Sequence, residues 1–161
     1  MPDTERDFEE FLRLCNKHRV RYCVVGAFAV AFHALPRYTK DMDILVEPTL
    51  ENGERVIRVL REFGFGSLAV VPEDFARPGR IIQLGFEPVR IDLLTALEGC
   101  SFAQIWKHRV KGAYGAERVW FIGRDELIRV KRRAGRAQDR VDLEKLSARP
   151  PRRRRSRRTS A

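Results

Sequence analysis

Two periods of apolar residues run along the chain, and they predict a mixture of helices and strands. Apolar residues at helical spacing, end signals such as Thr49 and Ser101, and an apolar run that ends before a proline predict helices near 4–18, 27–35, 49–63, 101–106, 124–135 and 138–147. Short β-rich or alternating runs predict strands near 22–25, 42–46, 80–86, 89–95 and 117–122. This order of elements predicts an α/β (α+β) domain in which helices flank a single mixed β-sheet and the C-terminal part is helical.

The basic residues divide the chain into two parts. The 161 residues carry a net charge of +10, and seven arginines lie in 149–161, where there is no acidic residue. Residues 1–148 therefore have a net charge of only +3 and are predicted to form one domain. Residues 149–161 are predicted to be a disordered arginine-rich tail. Such a tail suits contact with RNA phosphates, and a solvated extension without a ligand explains it equally well.

The sequence favours a cytoplasmic protein without membrane contacts. No apolar run approaches the roughly 20 residues that a membrane-spanning helix requires. The first residues, 1–5, are polar and acidic, so a secretory signal is not expected. The three cysteines, Cys15, Cys23 and Cys100, are odd in number and widely spaced, which favours buried reduced thiols over disulfides or a zinc site.

Three aspartates occupy matching positions on predicted strands. Asp41 and Asp43 are two residues apart, so both side chains leave one face of their strand, while Met42 and Ile44 take the other face. Asp92 has the same relation to its apolar neighbours on a later strand. If the two strands are neighbours in the sheet, the three carboxylates converge. Spacing alone leaves an equal alternative, in which these aspartates lie on the solvated face of half-buried strands.

A convergence of carboxylates requires positive charge. Two carboxylates about 4 Å apart repel by about 4 kcal/mol at an effective dielectric constant near 20. Without a cation, one of them is therefore expected to be protonated. Magnesium takes oxygen ligands of this kind and keeps positions for water and substrate phosphates. Two ions about 3.5–4 Å apart can hold the attacking and leaving oxygens of a displacement at phosphorus.

Two further positions suit an anion such as a phosphate. Gly26 ends a predicted strand and begins a helix, where free N–H groups and the helix dipole attract phosphate, although a glycine needed only for packing is the simpler explanation. On the helical projection of 124–135, Lys131 falls within the apolar arc, whereas the neighbouring arginines fall outside it. An inward lysine either extends to the edge of the core or binds a triphosphate or an aspartate.

Taken together, these residues resemble the DNA polymerase β-type nucleotidyltransferase superfamily. Its motif is an apolar strand with Gly-Gly or Gly-Ser, then Asp-x-Asp, and later a third carboxylate on a strand, matched here by 24–27, 41–44 and 90–94. The chain is similar in particular to small bacterial proteins related to the AbiEii-type toxins of toxin–antitoxin systems. That resemblance covers about residues 8–146 and rests on Arg37-x-Thr39-x-Asp41-x-Asp43, on Ile91-Asp92-Leu93-Leu94, and on Lys131 with Gly135-Arg136-x-Gln138-Asp139-x-x-Asp142-Leu143.

The resemblance implies a minimal nucleotidyltransferase fold and a role for each matching residue. Asp41 and Asp43 would bind two Mg²⁺ ions, and Asp92 would bind one of them and help to deprotonate the acceptor hydroxyl. Gly26 and Ala27 would offer backbone N–H groups to the phosphates of a nucleoside triphosphate. The other residues implied to lie at the nucleotide are Lys131, Arg37 and Thr39.

The implied activity is transfer of a nucleoside monophosphate from an NTP such as ATP to an acceptor hydroxyl. An RNA 3′ end is slightly preferred over a protein or a small molecule, and a toxin–antitoxin role would add a cognate protein partner. Ala27 departs from the pattern because it has no hydroxyl for a phosphate, although its N–H remains. The alternative is a non-catalytic nucleotide-binding or antitoxin-like module on the same fold. Asp139 suits either function or helix capping, and His33 is predicted to be a packing residue.

Overall fold

A mixed β-sheet organises the part of the chain that the computed structural model describes, residues 4–35, 40–86 and 88–148. The strands are β1 (Tyr22–Val25), β2 (Asp41–Val46), β3 (Ile81–Leu84), β4 (Arg90–Leu94), β5 (Val110–Tyr114) and β6 (Glu117–Phe121). The α-helices are α1 (Thr4–Lys17), α2 (Gly26–His33), α3 (Leu50–Phe63), α4 (Phe102–Lys107), α5 (Arg124–Ala134) and α6 (Ala137–Ala148). The predicted mixed sheet with flanking helices and a helical C-terminal part is confirmed.

The centre of the sheet is made by its most apolar strands. Across the sheet the order is β3-β4-β2-β1-β6-β5. All four residues of β1 are buried, which explains why that strand reads as a continuous apolar run. It pairs antiparallel with β2 and parallel with β6, and β2 pairs parallel with β4. Because β2 and β4 are parallel and β3 runs antiparallel to β4, strand β3 returns the chain to the end of the sheet where β4 begins.

Caps and a buried amide fix helix α3, which lies between β2 and β3 in the chain. Thr49 accepts a hydrogen bond from the backbone N–H of Asn52, and Gly64 ends α3 with a φ of +104°. Asn52 is buried and its side chain bonds both the N–H and the C=O of Arg21 and the C=O of Glu47. The amide therefore ties α3 to the ends of β1 and β2. Helix α1 packs on α3 through its buried face, Phe8, Phe11, Leu12, Leu14 and Cys15.

The strand that the sequence did not predict is β5. It lies at the edge of the sheet and, among the described residues, pairs only with β6. Most of its side chains are exposed, so it lacks the apolar alternation of a half-buried strand. A turn at Gly115, with a φ of +59°, joins the two strands. Tertiary pairing with β6, rather than local apolar pattern, makes this segment a strand.

Smaller predictions about single residues are also tested by the structure. The three cysteines are buried free thiols, as expected, and burial raises the pKa of Cys23 to about 12. His33 is a packing residue whose Nε2 lies 2.6 Å from the carbonyl oxygen of Ile122. None of the described helices has the length and apolar character needed to cross a membrane. Arg37, Thr39 and the arginine-rich tail 149–161 lie outside the described residues.

Candidate active site

The two strands that carry the aspartates are direct neighbours. In the parallel pairing of β2 with β4, Asp43 lies opposite Asp92, and Asp41 lies opposite Arg90. Met42 and Ile44 are fully buried on the other face of β2. The alternation of side chains therefore places three carboxylates on one face of two adjacent strands. The sequence predicted this arrangement on the condition that the two strands are neighbours in the sheet.

These carboxylates lie in a cavity of about 560 Å³. The start of α2 contributes Gly26 and Ala27 to its wall, and apolar side chains such as Leu94 and Leu97 line another part. The polar side chains of the lining include Asp41, Asp43, Asp92, Lys131, Arg136 and Asp139. A pocket of this volume, with convergent charged groups and apolar walls, is suited to a small phosphorylated molecule.

Gly26 is required by the position of Asp43. Its φ is +66°, which disfavours residues with a side chain, and a Cβ at this position would overlap the Oδ2 atom of Asp43. Val25, which precedes the first turn of α2, makes no side-chain hydrogen bond to cap it. The close approach of the Asp43 carboxylate to the helix start explains why glycine is needed here, and it leaves the interpretation of Gly26 as a phosphate contact a prediction.

The carboxylate of Asp43 carries charge that its surroundings do not fully balance. Burial, and after it the nearby charges of Asp92 and Asp41, raise its pKa above the ordinary value, to about 6. Lys131 and Arg90 lower the pKa but do not offset the rise. A carboxyl whose pKa is raised by burial and by neighbouring carboxylates marks a place where added positive charge would be favourable.

Arg90 is the residue at this site that the sequence analysis missed. Its guanidinium forms a two-pronged contact with Asp92, with Nε 3.2 Å from Oδ1 and Nη2 3.1 Å from Oδ2. The Nη1 atom lies 3.9 Å from Oδ2 of Asp41. The two-residue spacing in the sequence could have indicated its position, because Arg90 precedes Asp92 by two residues and so its side chain leaves the same face of β4.

Lys131 is buried, and its partners are aspartates. The Nζ atom lies 3.1 Å from Oδ1 of Asp139 and 3.1 Å from Oδ2 of Asp142, and both of these side chains are almost completely buried. Neighbouring Arg132 and Arg133 are exposed, as the helical projection predicts. The aspartate alternative therefore accounts for the inward position of Lys131, and its contact with phosphate or base stays a prediction.

Asp139 is more than a helix cap. It accepts a hydrogen bond from the backbone N–H of Arg136, as a residue in the first turn of α6 can, but it also contacts Lys131 and the Arg136 guanidinium. Burial alone would raise its pKa, but the hydrogen bonds from Arg136 and Lys131 outweigh burial and hold the pKa at about 2. Asp139 is thus ionised at neutral pH and joins α6 to α5 beside the cavity.

The donor atoms suit a hard divalent cation in their chemistry. Mg²⁺ prefers carboxylate oxygens, and the pKa of Asp43 is raised by burial and then by the charges of Asp92 and Asp41, which a bound cation would offset. In the conformation of residues 4–35, 40–86 and 88–148, however, no group of three or more His, Cys, Asp or Glu side chains is arranged to hold a metal ion. Both oxygens of Asp92 contact Arg90 instead.

Solved structures share this fold over most of their length. No protein-family model matches the sequence, and no curated protein does. A candidate nucleotidyltransferase from Thermotoga maritima aligns with a TM-score of 0.60 and 15% identity over 92% of this chain and 95% of its own. The lincosamide antibiotic adenylyltransferase LnuA, solved with lincomycin bound, has a TM-score of 0.57 and 16% identity over 90% of this chain and 97% of its own. ANT(2″)-Ia, solved with adenylyl-2″-tobramycin, has a TM-score of 0.57 and 11% identity over 89% and 87%.

At these identities the comparison establishes the fold, and the fold is that of nucleotidyltransferases. The chain spans nearly the whole length of the first two of these proteins. The fold that the sequence resemblance implies is therefore confirmed. Similarity to AbiEii-type toxins is not tested by these neighbours and stays a prediction.

Proposed function

We propose that the chain transfers a nucleoside monophosphate from a nucleoside triphosphate to a hydroxyl group of an acceptor. One observation carries the proposal: Asp43 and Asp92 lie opposite each other in the parallel pairing of β2 and β4, inside a cavity that the start of α2 also lines. Carboxylates on one face of adjacent strands can hold the divalent ions that neutralise a triphosphate, and a helix start can offer N–H groups to its phosphates. Neighbours that are adenylyltransferases support the same reaction class.

In the proposed reaction the acceptor hydroxyl oxygen attacks the α-phosphorus of the triphosphate. A new O–P bond forms, the bond to the bridging oxygen of the β-phosphate breaks, and pyrophosphate leaves with that electron pair. Asp92 accepts the proton of the attacking hydroxyl. The backbone N–H groups of Gly26 and Ala27 and the charge of Lys131 orient the phosphates, as do Arg37 and Thr39 in our proposal.

Asp41, Asp43 and Asp92 are the residues that would hold divalent ions. Two Mg²⁺ ions at these carboxylates would neutralise the triphosphate and polarise the α-phosphate. The raised pKa of Asp43 supports this assignment, because a carboxylate cluster with excess negative charge favours cation binding.

Three chemical classes of acceptor are compatible with the proposal. LnuA and ANT(2″)-Ia were solved with lincomycin and with adenylylated tobramycin, which favours a small-molecule hydroxyl. The arginine-rich segment 149–161 favours an RNA 3′ end, because phosphate contacts by arginine drive sequence-independent binding. A protein hydroxyl is the third class. A toxin–antitoxin role with a cognate protein partner rests on the motif resemblance, and growth arrest on induced expression, absent with Asp43→Asn, would support it.

A second function, nucleotide binding without transfer, is favoured by the contact of Arg90 with both oxygens of Asp92, which leaves that carboxylate engaged. The absence of a hydroxyl at Ala27 points the same way. Both functions predict binding of a triphosphate, and they differ in turnover.

The deciding experiment incubates the protein with each α-³²P-labelled NTP, Mg²⁺ and three acceptor pools: total RNA, cell protein and aminoglycoside or lincosamide antibiotics. We expect label transfer and pyrophosphate release with at least one pool. Asp43→Asn and Asp92→Asn should abolish both, while Asp125→Asn, an exposed aspartate at the start of α5, serves as the matched control. Equal transfer by wild type and Asp43→Asn would exclude catalysis at this site, and binding without transfer would favour the second function.

A further inference from the structure

Arg90 occupies the carboxylates that a divalent ion would need. Its guanidinium donates to both oxygens of Asp92, at 3.2 Å and 3.1 Å, and approaches Asp41 to 3.9 Å. A planar guanidinium matches a carboxylate in this two-pronged geometry and engages the oxygens that a metal ion would otherwise bind. Arg90 is thus a cation of the chain itself that contacts two of the three carboxylates, Asp92 and Asp41.

The side chain of Arg90 is placed so that it can move away from the carboxylates of Asp92 and Asp41. Arg90 is about one-third exposed (34%), whereas Asp92 retains only 12% of its side-chain exposure. Arg90 is not among the residues that line the cavity, so it reaches the carboxylates from beside it. An arginine at the margin of the site can turn into solvent without leaving a hole in the core, while Asp92 stays where β4 holds it.

We propose that Arg90 is a competing cation, which holds Asp92 and Asp41 while the site lacks metal and which a divalent ion must displace. The inference rests on the proposed function, because it assigns these carboxylates to metal. Arg90 then lowers the affinity of the site for a free ion, since binding breaks two hydrogen bonds to Asp92 and brings like charges together. Removal of Arg90 is expected to strengthen metal binding, whereas removal of a metal ligand would weaken it.

The test measures binding of Mn²⁺ alone, without nucleotide, by electron paramagnetic resonance of the free ion. Arg90→Gln is expected to bind Mn²⁺ about tenfold or more tightly than wild type, equivalent to about 1.4 kcal/mol. The matched control is Arg55→Gln, which removes a similar arginine–carboxylate pair with Glu51 on α3, and it should bind within about twofold of wild type. Asp43→Asn combined with Arg90→Gln should lose the gain. Three results would overturn the proposal. They are equal Mn²⁺ affinity of Arg90→Gln and wild type, a gain in Mn²⁺ affinity that persists in the double variant with Asp43→Asn, and no Mn²⁺ binding by either protein.

A second measurement uses the wild-type chain and does not depend on how the variant folds. The Nε–Hε NMR signal of Arg90, assigned in the wild-type chain by through-bond correlation along its own side chain, should shift when Mg²⁺ displaces the contact with Asp92. A signal that stays in place at saturating Mg²⁺ would refute displacement. Neither readout requires transferase activity. Tighter Mn²⁺ binding without any nucleotidyl transfer would leave the inference standing and remove the proposed function, and the reverse result would remove only the inference.

Discussion

Replacement of Lys131 by methionine removes one positive charge from the interior and keeps most of the side-chain volume. In the wild type, Nζ lies 3.1 Å from Asp139 and 3.1 Å from Asp142, and the three side chains are 9%, 1% and 0% exposed. At an effective dielectric constant near 20, each contact corresponds to an attraction of about 5 kcal/mol, much of which offsets the cost of burying the charges.

Removing one partner from a buried ion pair costs about 3–5 kcal/mol, because the other charge stays buried. Arg136 still contacts Asp139 in the variant, so we expect the free energy of unfolding to fall by about 3 kcal/mol, the lower end of that range. In a domain of this size such a loss lowers Tm by about 6–12 °C. Urea unfolding at pH 7, followed by far-UV circular dichroism, measures it.

Two further variants identify the cause of the loss. Arg132→Met removes an exposed charge from the same helix and should change stability by no more than about 0.5 kcal/mol. Lys131→Met combined with Asp139→Asn and Asp142→Asn should regain part of the stability, because the amides carry no charge. A loss below about 1 kcal/mol for Lys131→Met would refute the reasoning, and a triple variant no more stable than Lys131→Met would assign the loss to packing.

Four other outcomes follow from the structure. In the presence of a chelator, ionised Asp43 opposes folding because its folded-state pKa of about 6 lies above its ordinary value. The free energy of unfolding of Asp43→Asn, measured in urea at pH 8, should therefore exceed that of the wild type by about 1–2 kcal/mol. This difference should disappear as the pH falls to about 4. Ionised Asp139 has the opposite effect and stabilises the fold, because its folded-state pKa of about 2 is depressed. Its contribution to stability is complete above about pH 4 and is lost as the pH falls towards about 2. Asp139→Asn should therefore reduce the slope of the free energy of unfolding against pH in acid titrations. Gly26→Ala should lower stability by about 1–3 kcal/mol and reduce triphosphate binding measured by calorimetry, because a Cβ there overlaps the Asp43 carboxylate; unchanged binding would contradict the assigned geometry. Asn52→Ala should cost about 2–3 kcal/mol in the same unfolding assay, since it leaves backbone groups at Arg21 and Glu47 without their partner.

Features with a strict local period were predictable from the sequence. The two-residue spacing of Asp41 and Asp43 defined their common face, and the angle of Lys131 on its helix defined its inward position. That β2 and β4 are neighbours had to be assumed, because pairing between strands about 45 residues apart has no local signal in the sequence.

Contacts set by tertiary packing were beyond the sequence. Asp139 and Asp142 became the partners of Lys131 because α6 folds back on α5, which spacing on one helix does not specify. Gly26 was correctly placed at a strand–helix junction, but its reason, the approach of Asp43 from the next strand, required coordinates. Arg90 was missed because an arginine on a strand face resembles any solvated residue until its neighbour is known.

The register between β2 and β4 also protects the chain against mispairing. Side chains alternate in both strands, so a slip by one residue would turn Met42 and Ile44 outward and bury Asp41 and Asp43 among apolar groups. Such a mistake would cost burial and leave buried charges at the same time, which makes it unstable and short-lived during folding. The alternation of aspartates with apolar residues thus disfavours a shifted pairing of β2 with β4.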